Sequence, residues 1–460
     1  MWGISGIRTV SYDPASIERK WQDKWRNGTN TQIVKKPMDD SKTSYILSMF
    51  PYPSGALHMG HVRVYTISDC LARYKRMKGD HVLHPMGWDA FGLPAENAAR
   101  ERNIAPDKWT YSNIQDMKTQ LNALGFEFDW DKEVMTCRED YYRWTQWIFL
   151  RMYKEGLAYR KPALVNWDPV DETVLANEQV DSEGRSWRSG ALVEQKSLNQ
   201  WFLRITDYAD KLLEDLDTLD QWPEGVKQLQ RNWIGRSQGV VIDFKVVGSA
   251  TETVEVFTTK PETIYGVTFL AISSSHEFAG KGLTVTHPLT GEDIPVLEAD
   301  YVLGEYGTGA VMGVPCHDER DEEFAKMNGL EGTKVLGDDA KLINSEQFSG
   351  KLISEAAPEI IKLLQEVGAG QPKSSYRLRD WLVSRQRRWG APIPIIHCSQ
   401  CGTVPVPESD LPVKVPSSLD ESNLEQWKHV SCPKCAGPAI RDTDTLDTFV
   451  DSSWYFLRYP

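Results

Sequence analysis

The chain has 460 residues, 40% hydrophobic and 25% charged, with a formal net charge of −13. That length exceeds what one hydrophobic core serves and predicts two to four domains, while the composition excludes a disordered or fibrous chain. No apolar run approaches the ~20 residues of a membrane-spanning helix, and the negative charge argues against a nucleic-acid coat while leaving room for a local basic face.

The opening MWGISGIRTV lacks the apolar core and cleavage pattern of a secretory signal, and the Arg- and Ser-rich pattern of a transit peptide. A cytoplasmic location without membrane contact is expected. Residues 44–50, SYILSMF, read as a short buried parallel strand. Pro51, Pro53 and Gly55 break it, and His58-Met59-Gly60-His61 leads into a stretch with apolar residues at helical spacing. Strand, tight turn and helix in that order aim backbone N–H groups at a phosphate. His58 and His61, at i and i+3, share one face of the first turn and can donate hydrogen bonds to phosphoryl oxygens. Gly60 removes a Cβ where a nucleotide lies close. Two histidines alone are weak evidence, since structural histidines are commoner.

The surrounding string carries more. PYPSGALHMGH resembles the "HIGH" signature of class I aminoacyl-tRNA synthetases, and residues 81–99, HVLHPMGWDAFGLPAENAA, resemble the segment lining their amino-acid pocket. The form GWDAFGLPAEN, with Phe91 where the isoleucyl branch more often has histidine, is similar to the leucyl branch. ERKWQDKW (18–25), VLANEQV (174–180), QWFLRITDYADKLL (200–213), NWIGRSQG (232–239), RDWLVSRQRRWG (379–390) and TFVDSSWYFLRY (448–459) follow in that branch's order. The resemblance covers nearly the whole chain. It implies that Asp89 grips the ammonium group of leucine, with Met49, Phe50, Tyr52, Phe449, Ser452 and Tyr455 lining the pocket. It implies that His58 and His61 stabilise phosphoryl transfer from Mg²⁺-ATP.

From about Gly239 short alternating segments (VVIDFKVV, TVEVFTT, LTVTHPLTGEDIPV) predict a mostly β insertion. FTTKPETIYGVTFLA and YGTGAVMGVPCHDERDEEFA resemble the two halves of the editing site of leucyl, isoleucyl and valyl enzymes. A methylene in an apolar pocket discriminates by only ~1–3 kcal/mol, so a second, hydrolytic pocket has a physical purpose. On that pattern Asp321 holds the ammonium of the mischarged amino acid, Thr263 excludes leucine, Thr258 and Thr259 position the ester, and Met312, Val314 and Asp318 complete the wall. Lys260 stands where the family has arginine, and Lys lacks the planar fork of Arg. The stretch from Ile272 to Tyr301 is shorter than in the family. Weakened, altered or lost editing are the open alternatives.

Cys398, Cys401, Cys432 and Cys435 form two C-x₂-C pairs, the pattern of one structural Zn²⁺, with His397 as a neighbour rather than a ligand. No zinc is expected near Asn166-Trp167, where Asp168, Arg185 and Ser189 stand in place of thiols. Cys70, Cys137 and Cys316 read as buried or incidental thiols. Arg377, Arg379, Arg385, Arg387 and Arg388 read equally well as a solvated helix face or an RNA-contacting patch, and Arg388 replaces a family tyrosine.

The expected architecture is α/β: a doubly wound parallel-sheet (Rossmann-like) nucleotide-binding domain, an inserted β-rich editing domain and a small zinc-ribbon-like lobe. Residues 1–238 form the first part of the catalytic domain, 239–372 the insertion, and 373–460 the return, with the zinc lobe at about 396–440. The expected function is leucine–tRNA ligation with editing, using leucine, ATP, Mg²⁺, one Zn²⁺ and tRNA(Leu). A lysine loop of the KMSKS type, the anticodon-binding bundle and the C-terminal module are not found in the sequence, pointing to an N-terminal part: a fragment, a truncated chain, or one half of a split gene whose other half is a separate C-terminal subunit. The alternative is a stand-alone paralogue that binds RNA or leucine, or edits in trans.

Overall fold

The computed structural model describes residues 12–26, 42–102, 104–175, 179–181, 183–187, 189–302, 308–416 and 421–460. The opening decapeptide, residues 176–178 of the VLANEQV block and residues 306–307 of the second editing segment lie outside the described residues. The chain forms two compact units, Met1–Arg204 with Trp381–Pro460, and Ile205–Asp380.

In the first unit, strand Thr43–Tyr45 pairs in parallel with His81–Leu83, with Ser44 opposite Val82. The connection is the helix Met59–Met77, which buries Tyr65, Ser68, Asp69 and Ala72. Ile46, Ala72 and Val82 form the core between helix and strands. The strand expected through residue 50 is shorter: Ile46 N–H still reaches the Leu83 carbonyl at 2.9 Å, after which the chain departs toward Pro51 and Pro53. A second parallel pair, Gly87–Trp88 with Val134–Met135, lies further along the same segment. Gly87 is obligatory there, because an added Cβ would come within 2.5 Å of the Tyr459 hydroxyl and 2.7 Å of the Val134 carbonyl oxygen. The architecture is thus mixed α/β, with parallel pairs nearest the predicted site and antiparallel sheets around them.

One antiparallel sheet has the order Trp381–Leu382, Glu194–Leu203, Ala158–Asp168, Thr173–Leu175. Its outer end continues through Ser384–Arg385, which pairs with Thr445–Leu446. Between those two strands the chain makes a four-stranded antiparallel lobe, ordered Gly402–Pro405, Ile395–Cys398, Pro438–Arg441, His429–Ser431. Helix Glu139–Lys154 buries Tyr141, Tyr142, Thr145, Gln146, Phe149 and Leu150, the i, i+4, i+8 face of its sequence. Gln146 binds the carbonyls of Pro392 and Val413, each at 2.9 Å.

The second unit is built on a seven-stranded sheet. Its strands run Ala310–Gly313, Phe269–Ile272, Asp293–Glu298, Thr284–Thr286, Arg236–Val246, Gly370–Tyr376, with Thr253–Thr258 also paired to Arg236–Val246. Val240, Ile242, Phe244 and Val246 alternate inward along one strand, as a period of two requires. Each such side chain contributes about 1.5–3 kcal/mol by leaving water. Helix Ile353–Glu366 covers this core with Ala356, Ile360 and Leu364.

The arginine-rich stretch forms no helix. Residues 381–382 and 384–385 are strands, and Arg385 is buried in an ion pair with Asp447. The solvated-helix reading is therefore corrected: a tertiary carboxylate, not the local charge run, decides where Arg385 goes.

Candidate functional site

His58 is the N-cap of helix Met59–Met77, and His61 is its third residue. His58 Nδ1 accepts the Gly60 N–H at 3.1 Å, and His61 Nδ1 accepts the His58 N–H at 3.2 Å. The rings lie 3.9 Å apart between centroids. A nitrogen that accepts carries no proton, so each neutral ring holds its hydrogen on Nε2, leaving two donors. Burial, and then the neighbouring His58, hold the His61 pKa below the ordinary histidine value. Gly60 has a second reason to be glycine: its Cβ would sit 2.9 Å from His58 Cε1, displacing the cap.

Asp89 follows directly on the buried strand Gly87–Trp88, and its N–H donates to the Pro51 carbonyl at 3.0 Å. That bond joins the ends of the two segments carrying the sequence signatures. The side chain is 1% exposed. Thr136 Oγ1 donates to Asp89 Oδ1 at 3.5 Å, and among the described residues Oδ2 has no hydrogen-bond partner. Burial pushes the carboxyl up to about 7, with Asp447 adding to the rise and the Ser452, Tyr52 and Thr136 hydroxyls opposing it. A desolvated carboxylate with an unengaged oxygen is suited to a cation bearing N–H donors.

The predicted pocket residues gather in part. Phe50 stacks on Tyr455 at 4.5 Å and 16°; Ser452 and Tyr52 lie beside Asp89. Met49 and Phe449 are exposed, at 56% and 57%. Sequence reasoning missed Thr136, Tyr141, Thr145, Asp447 and Asp451. Asp447 pairs with buried Arg385 and caps the turn Thr448–Ser452 through the Phe449 N–H. Asp447 and Asp451 lie in or beside the quoted TFVDSSWYFLRY block, the one signal that marked them.

In the second unit the two editing-like segments meet. Strand Thr253–Thr258 packs against Ala310–Gly313, and a Cβ on Gly266 would lie 3.1 Å from Val314 Cγ1. Thr258 Oγ1 accepts the Lys260 N–H at 3.0 Å, and Thr263 Oγ1 donates to the Lys260 carbonyl at 2.8 Å. The turn is therefore held by the main chain of residue 260, so Lys in place of Arg leaves it intact. Thr259 is exposed, and Thr263, Met312 and Val314 are buried. Asp318 caps helix Glu319–Met327 by accepting from the Arg320 and Asp321 N–H groups. Asp321 Oδ2 accepts the Val314 N–H and Oδ1 the Tyr301 hydroxyl, both at 2.8 Å. Burial raises its pKa against those two bonds. Tyr301 had no signal in the local pattern.

The four sulfurs of Cys398, Cys401, Cys432 and Cys435 lie within 4.8 Å of one another. Tetrahedral thiolates at ~2.3 Å from a zinc ion would stand about 3.8 Å apart. Each pair sits in a turn between antiparallel strands. The residue after each second cysteine, Gly402 at φ 71° and Ala436 at φ 58°, is left-handed. The Lys434 N–H points at Cys432 Sγ from 3.4 Å. This donor set fits a metal ion. His397 is turned away, with Nε2 on Asp442 at 2.9 Å.

Asp168 organises its own hairpin, accepting the Val170 and Asp171 N–H groups and the Ser189 hydroxyl at 2.6 Å. Cys137 is buried, while Cys70 and Cys316 are exposed, so the reading of buried or incidental thiols divides between them. No helix among the described residues is long and apolar enough to cross a membrane.

The family described as tRNA synthetases class I (I, L, M and V) matches residues 20–245 and 375–458, and that described as leucyl-tRNA synthetase, editing domain matches 231–281 and 279–365. The leucine–tRNA ligase of Trichodesmium erythraeum is 52% identical, aligned with 98% of this chain and 54% of its own length. That of Synechococcus sp. (strain CC9605) is 51% identical over 99% of this chain and 59% of its own. Among solved structures, the Agrobacterium radiobacter K84 agnB2 LeuRS in its ternary complex with tRNA and LeuAMS aligns with a TM-score of 0.86 and 44% identity, over 98% of this chain and 60% of that one. The chain thus spans a little over half the length of the relatives it matches.

Proposed function

Because the chain belongs to the class I tRNA synthetases (I, L, M and V), we propose that it carries the leucine-activating site and the editing domain of a leucine–tRNA ligase. The observation that carries this reading is Asp89, a buried carboxyl whose Oδ2 has no hydrogen-bond partner among the described residues and whose N–H holds the Pro51 carbonyl, next to the Phe50 that stacks on Tyr455. An α-ammonium group supplies the missing donors, and an aliphatic side chain suits the aromatic neighbours.

Held there, the leucine carboxylate attacks the α-phosphorus of ATP, which enters with its Mg²⁺, forming leucyl-adenylate and releasing pyrophosphate. His58 and His61 present Nε2–H donors to the phosphoryl oxygens as charge builds on them. They act neither as nucleophiles nor as bases. A ribose hydroxyl at the 3′ end of tRNA(Leu) then takes the leucyl group and AMP leaves. Met49, Tyr52, Phe449 and Ser452 complete the pocket as the ligand arrives, the exposed pair closing over it.

Residues 239–372, inside the second compact unit, form the editing domain. Asp321 takes the ammonium of a mischarged amino acid, Thr263 excludes leucine, and Thr258, Thr259, Met312, Val314 and Asp318 shape the rest. The four cysteines hold one structural Zn²⁺, which fixes the lobe and takes no part in the chemistry. A cytoplasmic location belongs to the same reading.

Leucine-dependent ATP–pyrophosphate exchange tests it, with His58→Ala/His61→Ala as control. Exchange by the chain, lost in the control, supports the reading. Silence of the chain both alone and with a C-terminal synthetase partner rejects it.

A further inference from the structure

The turn Thr448–Ser452 has five residues, too few for a helix that holds itself, and it carries Ser452, whose hydroxyl donates to the Thr448 carbonyl at 3.3 Å, beside Asp89. Asp447 caps its start. Its end is held by Asp451, which is fully buried. Asp451 Oδ1 accepts the Thr145 hydroxyl at 2.8 Å, and its main-chain carbonyl accepts the Tyr141 hydroxyl at 2.7 Å. Thr145 Oγ1 in turn accepts the Trp454 indole N–H at 3.1 Å, and the Trp454 ring stacks on Tyr141 at 4.5 Å. Two residues of one helix, Tyr141 and Thr145 at i and i+4, thus clasp the turn from both its main chain and its side chain.

Among the described residues no cation is bonded to Asp451, and its Oδ2 has no hydrogen-bond partner. A buried carboxyl is a costly way to make one bond to a threonine. The groups that face it are Asp89, Asp447, Tyr141 and Cys137. Burial, followed by the Asp89 and Asp447 charges, raises its pKa well above the ordinary carboxylate value, which favours the neutral form.

We propose that Asp451 is a positioning residue for the amino-acid pocket, which through Thr145 and Tyr141 fixes the 448–452 turn so that Ser452 stays beside the Asp89 carboxyl. This rests on the reading of Asp89 as the ligand of the leucine ammonium group. Asp451 does not touch the substrate; it sets the distance between two groups that do.

The test is calorimetric binding of leucine, a non-hydrolysable leucyl-adenylate mimic and ATP to the whole chain and to Thr145→Val, Asp451→Ala and Asp451→Asn. Thr145→Val keeps the side-chain volume and removes the hydroxyl, so it serves even where Asp451→Ala fails to fold. Loss of the clasp should weaken leucine and the mimic by about tenfold in Thr145→Val and Asp451→Ala, leaving ATP affinity unchanged. Asp451→Asn, which mimics a neutral carboxyl, should bind within about twofold of the wild type. Wild-type leucine affinity in Thr145→Val, or equal weakening of leucine and ATP, would overturn the role. A wild-type chain that binds ATP but neither leucine nor the mimic would instead reject the amino-acid-site reading, and this role with it.

Discussion

His58 and His61 cap one helix end reciprocally, each Nδ1 accepting a main-chain N–H from the first turn. One ring nitrogen therefore serves the fold and the other is left for chemistry, so the two tasks separate by substitution. His58→Asn keeps a good N-cap acceptor and removes the Nε2 donor. It should leave stability within about 0.5 kcal/mol while lowering pyrophosphate exchange by about 10²-fold or more. His58→Ala should lose both, with about 1 kcal/mol of stability. Chemical denaturation alongside exchange assays checks the pair; an Asn variant that retains exchange would show that the ring acts only as a cap.

Asp89 sets a pH dependence. Its carboxyl stands at about 7 in the folded chain against 3.8 unfolded, so the unfolded state gives up the proton first. Stability is then whole below pH 3.8 and falls as pH rises toward 7, by about 4 kcal/mol in all. Asp89→Asn should remove that loss and raise stability at pH 8 while abolishing leucine binding. In the wild type, leucine affinity should fall below pH 7 as the carboxylate takes up a proton. Titration calorimetry across pH 5.5–8.5 (an approximate range bracketing that midpoint) reads the midpoint, and a flat profile would exclude Asp89 as the ammonium ligand.

The four-cysteine site should carry roughly one zinc per chain after purification under reducing conditions. Cys432→Ser should lose the metal and expose residues 396–440 to protease, leaving the second compact unit resistant. Metal analysis with limited proteolysis reads both effects. Less than one metal per wild-type chain would reject the site.

Asp321→Ala removes the carboxylate that both Tyr301 and Val314 hold in place. It should suppress hydrolysis of norvalyl-tRNA(Leu) by about 10²-fold. Thr263→Ala should instead open the pocket to leucine, so that correctly charged leucyl-tRNA(Leu) is hydrolysed. Deacylation assays on both substrates distinguish the two, and a Thr263→Ala chain that still spares leucyl-tRNA(Leu) would rule out the steric guard.

What was legible in the sequence was local. The strand, turn and helix around His58 depend on neighbours within one turn, and the two C-x₂-C pairs announce themselves by spacing. Asp89 was legible through its motif, but its surroundings were not. Thr136, Asp447 and Asp451 arrive from distant segments with no shared periodicity, and a lone buried aspartate looks like any cap or turn residue. Arg385 was misread for the same reason: charge patterning assumes a solvated surface, and the Asp447 partner that buries it lies 62 positions away. The strand ended early, its last pairing bond being the Ile46 N–H to the Leu83 carbonyl, and local propensity says little about where pairing stops.

The cysteine lobe branches from the rest of the first unit after Ser384–Arg385 and rejoins it at Thr445–Leu446, two strands paired to each other. Its exit and entry are one doorway. A segment grafted at such a doorway can lengthen or shorten at only a logarithmic cost in chain entropy, while the frame around Asp447 stays shut. For protein engineering this makes the lobe an exchangeable cassette, to be swapped for one of another length without rebuilding the floor of the pocket, provided the two carbonyls that Gln146 grasps are kept.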